Sequence, residues 1–233
     1  MKIGRVFYIN TIPLFYSWRG DFEFVEGHPR ELTLALREGK IDAGIVSSVE
    51  YLINKERYKI VGDFCIASKE RACSVLLCSK KELDKIKTLS LSSSSLSSNL
   101  LAIYLLNNVK VLKPDCKADA KVVIGDKALE SAKSCDYVYD LVSLWRSKTN
   151  LSFVFALFLV RKDVDTSVIR ELELNLSNSL NEFFSSFPRH LESKREYLTK
   201  CLHYRLTDED IRSLKIFEDI VSGLYNLQKE VLE

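Results

Sequence analysis

Within the first 54 residues, apolar runs of strand length alternate with segments of helical period, and that alternation restricts the chain to α/β architectures. Ile3 to Ile9 reads as a strand, and Phe22 to Glu26 as a second that Gly27-His28-Pro29 closes. Pro29 suits the first turn of a helix running to Arg37, because the N–H it lacks would have no intrahelical partner there. Gly39 supplies the stop. Ile41 to Val46 follows as a buried strand, and Ser47 or Ser48 caps a helix through Asn54. Such a rhythm predicts a mainly parallel sheet with helices on both faces.

A second set of strands is expected at Ser74 to Cys78, Thr88 to Leu91, 109–112, 121–124 and 136–138, with helices from Leu96 to Leu106 and over 126–133. Phe153 to Val160 is a long apolar strand, after which the pattern is helical to the end. Pro188 opens one of those helices, and Thr207 with Asp210 forms a capping box for the last. These elements predict an α/β fold of two lobes. Residues 79–152 form a second lobe inserted into a first made of 1–78 and 153–233, with two crossover strands near 74–78 and 153–160. Two crossing segments make a hinge, and a cleft between lobes is a favoured place for a small ligand.

Composition removes several classes of function. A formal charge of +2, spread evenly over 233 residues, does not argue for a nucleic acid partner or an acidic membrane surface. No stretch approaches the roughly 18 apolar residues of a membrane span, and the first residues enter a strand without an export segment. A cytoplasmic location is therefore expected. The six cysteines show no CxxC and no spacing with His that would suit zinc, so they read as reduced, mostly buried thiols. The sequence does not reveal an oligomeric state.

Six short stretches carry the chemistry: Tyr8 to Leu14, Val46 to Tyr51, Ala72 to Leu77, Ser92 to Ser98, Ile124 to Leu129, and Tyr139-Asp140-Leu141 leading to Trp145. Most lie where an apolar run stops, the edge at which open α/β sheets bind small molecules. They offer neutral hydroxyls, one amide and a few carboxylates, and no His occurs between residues 29 and 189. That set suits an anionic small molecule with no metal and no cofactor. The serine run precedes a helix, and a helix N-terminus attracts carboxylates. Each residue also has a structural reading. Asn10 fits a turn residue, the serines and Asp126 fit helix caps, and Glu50 and Asp140 fit loop braces.

Taken in order, Tyr8-Ile9-Asn10-Thr11-Ile12-Pro13-Leu14, the block from Gly39-Lys40-Ile41-Asp42 to Val46-Ser47-Ser48-Val49-Glu50-Tyr51, Ile124-Gly125-Asp126-Lys127-Ala128-Leu129, and Tyr139-Asp140-Leu141 with Phe153-Val154-Phe155-Ala156 resemble the chorismate dehydratases of the futalosine route to menaquinone. The resemblance runs from Tyr8 to about Val160 and more faintly through the helical tail. It implies the two-lobed fold of type II periplasmic binding proteins and the loss of water from chorismate, giving 3-(1-carboxyvinyloxy)benzoate. No cofactor is implied, since loss of a ring proton and the neighbouring hydroxyl leaves an aromatic ring. It also implies that Asn10 and Ser74 are the catalytic pair, with the substrate's enolpyruvyl carboxylate as base. By the same resemblance Ser48 lines the first lobe, and Ser95, Ser97 and Ser98 grip a substrate carboxylate. Asp126 touches substrate or organises its loop.

Three positions depart from the family pattern. Asn150-Leu151-Ser152 stands where Gly-Leu-Pro is usual, which predicts a looser return segment. Leu96 replaces a commonly polar residue, and Lys69-Glu70-Arg71 replaces a glycine-containing approach to Ser74. Two alternatives differ in kind. A 1,4-dihydroxy-6-naphthoate synthase of the same pathway would be expected to use a second-lobe His, which this chain lacks; a cytosolic small-anion-binding protein would use the same pocket without chemistry.

Overall fold

The computed structural model describes residues 1–131 and 135–228. In chain order the first elements are β1 (Lys2–Val6), β2 (Glu23–Gly27), α1 (Pro29–Arg37), β3 (Ala43–Ser47), α2 (Ser48–Ile53) and β4 (Tyr58–Ser68). Then come β5 (Val75–Ser79), β6 (Thr88–Ser90), α3 (Leu96–Leu106), β7 (Lys110–Leu112), β8 (Ala120–Ile124) and α4 (Asp126–Ser131). The chain continues through β9 (Tyr137–Asp140), α5 (Leu141–Thr149), β10 (Phe153–Arg161), α6 (Thr166–Ser185), β11 (His203–Arg205) and α7 (Asp208–Leu227). Positions 132–133 of the helix expected over 126–133, and the last residues of the expected helical tail, lie outside the described residues.

Two compact units divide the chain: Met1–Ile66 with Ala156–Leu206, and Ala67–Phe155 with the segment from Thr207. β5 and α7, which the sequence pattern assigns to the first lobe, belong to the second unit. The chain passes between units three times, within β4, within β10 and after Leu206, where the sequence pattern gives two crossings, near 74–78 and 153–160.

The first unit holds a six-stranded sheet in the order β11-β4-β10-β3-β1-β2. β1 is parallel to both β2 and β3, as the βαβ rhythm predicts, but β10 runs antiparallel to β3, with Ala156 opposite Ser47 and Val160 opposite Ala43. The sheet is therefore mixed rather than mainly parallel. β10 returns from the inserted segment, and the apolar run Phe153 to Val160 marks burial without marking direction. All five residues of β3 are buried, and a Cβ at Gly44 would meet the Gly4 carbonyl at 2.8 Å, so the β1–β3 contact requires glycine there. β4 escapes the sequence pattern because Gly62, at φ +52°, and Asp63 interrupt its alternation. The expected strand from Ile3 ends at Val6, where the Thr11 hydroxyl binds the Val6 carbonyl at 2.6 Å and opens a 3₁₀ turn over Ile9–Phe15.

In the second unit the sheet order is β7-β6-β8-β5-β9, again mixed: β6 is parallel to β7 and β8, while β5 is antiparallel to β8 and β9. Trp145 is fully buried against Phe153 and Phe217 and donates its Nε1–H to the Ser152 carbonyl at 2.8 Å. The expected capping box opens α7, with Thr207 N donating to Asp210 at 2.8 Å. Cysteine chemistry differs from expectation, because Cys78 and Cys135 form a disulfide and Cys73 and Cys201 are disulfide-bonded as well, which leaves Cys65 and Cys116 as thiols. Cys78 and Cys135 are separated by 57 residues in sequence, but the pairing of β5 with β9 brings their Cα atoms to 5.5 Å. No described helix is long and apolar enough to cross a membrane.

One buried carboxylate ties α1 to the rest of the first unit. Glu50 has no solvent exposure and accepts from Arg37 Nη2 at 2.6 Å, Tyr58 Oη at 2.7 Å and Asn54 Nδ2 at 2.9 Å. It is the loop brace that its position suggests. Removing its cation strands a buried charge, so Arg37→Ala is expected to cost about 3 kcal/mol in urea denaturation, near the lower end for breaking a buried pair. Burial, and then the Glu50 contact, push the Tyr58 hydroxyl above the ordinary tyrosine value. The folded state thus keeps a proton that the unfolded chain loses near pH ~10, and stability must fall as pH rises from there toward the folded value. Tyr58→Phe is expected to flatten that alkaline limb of a stability–pH curve.

Candidate functional site

Asn10 stands in the 3₁₀ turn that follows β1. The turn does not rely on it: Thr11 Oγ1 donates to Val6 O and contacts Tyr8 O, and Thr11 N donates to Tyr8 O at 3.1 Å. Asn10 Oδ1 is buried and accepts no hydrogen bond from any described residue. An acceptor left in that state costs about 1–3 kcal/mol, a penalty that a bound donor would remove. The side-chain oxygen of Asn10 therefore does not brace the turn.

Ser48 lies in the same unit, at the first position of α2, and is fully buried. The helix cap is its neighbour: Ser47 Oγ accepts from Val49 N at 3.3 Å.

In the second unit, Ser74 immediately precedes β5 and is 2% exposed. Its carbonyl accepts from Gly125 N at 2.8 Å, which links it to the turn that starts α4. Asp126 is the first residue of that helix rather than its cap; Gly125, at φ +63°, occupies the preceding position, and its carbonyl accepts from Ala128 N and Leu129 N. Ser74 and the Gly125-Asp126 pair are thereby brought together by backbone pairing.

The serine run forms one cluster at the start of α3. Ser95 caps the helix, its Oγ accepting from Ser98 N at 3.3 Å and donating to Ser98 Oγ at 2.8 Å. The Ser97 hydroxyl lies 3.5 Å from that of Ser95 and donates to the Phe155 carbonyl at 3.0 Å, a structural contact that occupies its proton. Asn99 closes the turn by accepting from Ser92 N at 2.9 Å and donating to Ser92 O at 2.8 Å. That clamp joins residues seven apart in sequence, and an Asn following a serine run was the available signal. Ser68, at the end of β4, is a further candidate that sequence reasoning missed; its hydroxyl is buried without a partner among the described residues.

Two arginines that could balance a ligand carboxylate are already engaged. Arg5 pairs with Glu26 and lies over Phe24, while Arg146 pairs with Glu209 and reaches Glu70 at 3.3 Å. Asn150 explains one departure from the family pattern. It caps α5 at φ +57°, a left-handed position where glycine is usual and Asn is the next best residue. The segment after it is pinned rather than loosened, with Ser152 N donating to Glu209 at 2.8 Å and Ser152 Oγ to Asp210 at 2.6 Å.

The chain is similar to known proteins over most of its length. A chorismate dehydratase of Campylobacter jejuni is 29% identical over 93% of this chain and 96% of its own length. A second, from Thermus thermophilus, is 26% identical over 93% of each. Among solved structures, the periplasmic aliphatic sulphonate binding protein SsuA of Escherichia coli superposes with a TM-score of 0.63 at 14% identity, covering all of this chain and 94% of that one. At that identity the likeness concerns the fold alone, and it agrees with a periplasmic-binding-protein-like architecture. A family model described as menaquinone biosynthesis matches residues 1–222. On that match, and with the two relatives aligned over nearly the whole chain, the protein is a member of the menaquinone-biosynthesis family.

Proposed function

We propose that this protein is a chorismate dehydratase, a carbon–oxygen lyase that converts chorismate to 3-(1-carboxyvinyloxy)benzoate. The observation that carries the reading is the near full-length match to two curated relatives of that name from different organisms. The orphaned acceptor on Asn10 supports it, because chorismate bears a ring hydroxyl able to donate to that oxygen.

The reaction needs no redox partner. A ring proton and the neighbouring hydroxyl leave together as water, and the electrons released aromatise the ring. Neither Asn10 nor Ser74 is a strong base, so the proton goes first to the substrate's own enolpyruvyl carboxylate. Asn10 Nδ2–H and the Ser74 hydroxyl hold that carboxylate against the ring. That carboxyl then returns the proton to the departing hydroxyl, which leaves as water, while Asn10 Oδ1 accepts from the hydroxyl's own O–H and orients it. The acceleration comes from orientation and from dipoles fixed before the substrate arrives. Ser95 and Ser98, with backbone N–H groups at the start of α3, grip the second carboxylate; Ser48 and Asp126 line the substrate position. Ser97 serves mainly through its backbone.

Incubation with chorismate, followed by mass analysis, should yield a product lighter by one water, and intact chorismate after prolonged incubation would refute the assignment. A hydrogen bond to a charged group made only in the transition state is worth about 1.5–3 kcal/mol, so Asn10→Ala is expected to lower kcat by roughly 10- to 150-fold with little change in KM. Asn10→Asp should be slower still, since its charge would face the substrate carboxylate; equal rates for the two variants would show that no carboxylate sits there.

A further inference from the structure

We propose that Asp140 is a positioning residue whose carboxylate presents Ser74, an inference that rests on the reading of Ser74 given above. Asp140 ends β9 and caps α5, and its two oxygens divide the work. Oδ1 accepts from Val142 N at 2.9 Å and Ser143 N at 3.2 Å, which is ordinary capping, and also from Ala72 N at 3.0 Å. Oδ2 accepts from Cys73 N at 2.7 Å. Ala72 and Cys73 lie 68 and 67 residues away in sequence, so a helix cap has been extended into a long-range clamp.

The clamped segment needs holding. Cys73 has φ +63°, a left-handed conformation that a residue with a side chain adopts only where its surroundings compel it. Ser74 is the next residue, and its carbonyl is bound on the far side by Gly125 N at 2.8 Å. Cys73 is also disulfide-bonded, so a covalent link and a backbone hydrogen bond before Ser74, with one more hydrogen bond at its own carbonyl, set the direction of its Cα–Cβ bond. Ser143 Oγ donates to Glu70 O at 2.9 Å and fastens the approach to the same corner. Lys69-Glu70-Arg71, which lacks the glycine usual in relatives, is thus held by the β9–α5 corner rather than by its own turn chemistry.

Asp140→Asn tests this, because asparagine caps helices as well as aspartate does. The variant can keep the oxygen that faces Val142, Ser143 and Ala72, but it sets an NH2 against the Cys73 N–H. The expected result is a kcat about 10- to 100-fold lower, in line with small displacements of a reacting group, with KM and melting temperature near those of the parent. Amide exchange should quicken at Cys73 and Ser74 while Leu76 and Leu77 stay protected. The decisive comparison is Ser74→Ala with and without Asp140→Asn. If Asp140 acts through Ser74, the second substitution lowers kcat no further. Multiplied losses in the double variant, or an Asp140→Asn kcat within about twofold of the parent, would overturn the proposal. A parental kcat in Ser74→Ala alone would overturn the underlying reading of Ser74 and this role together, and that single variant identifies the case.

Discussion

Backbone N–H and C=O groups freed at strand ends must find partners, and in this chain short polar side chains supply them. Thr11 secures the turn after β1, Ser47 starts α2, Ser95 and Asn99 shape the serine turn, and Asp140 serves two segments at once. Because these residues take the structural work, others are released from it. Asn10 stands in a fully fastened turn with its own carbonyl oxygen orphaned. Within the serine turn, the Ser95 hydroxyl binds Ser98, while the Ser97 hydroxyl binds the Phe155 carbonyl of β10.

This arrangement suits a reaction without a strong protein acid or base. A substrate that carries its own carboxylate needs an environment fixed in advance, and fixed hydrogen-bonding groups are more effective when they need not reorganise. Rigid anchoring of neighbouring backbone is how a fold keeps an amide or a hydroxyl in place at small cost. The buried Glu50 cluster does similar work for α1 and α2. There the carboxylate is surrounded by donors of this chain, whereas the Asn10 oxygen is not.

Similarity in fold and similarity in sequence carry different parts of the functional reading. Sulphonate-binding relatives in shape show only that an α/β scaffold of this type is present. The family match and the two dehydratases join it to menaquinone biosynthesis. The disulfide between Cys78 and Cys135 belongs to neither line of argument and is a property of this chain's second sheet.

Sequence alone determined what depends on residues a few positions apart. The α1 bounds from Pro29 to Arg37, the α3 bounds from Leu96 to Leu106 and the Thr207–Asp210 capping box follow from caps and periodicities that span one turn. The ordered motifs likewise made the family legible. Tertiary structure decided what depends on distant partners: the antiparallel direction of β10, the membership of β4, the Cys78–Cys135 bond, and the reach of Asp140 to Ala72 and Cys73. An apolar run records that it is buried but not which neighbour it meets or in which direction. A carboxylate at a helix start looks the same in sequence whether it holds one turn or two.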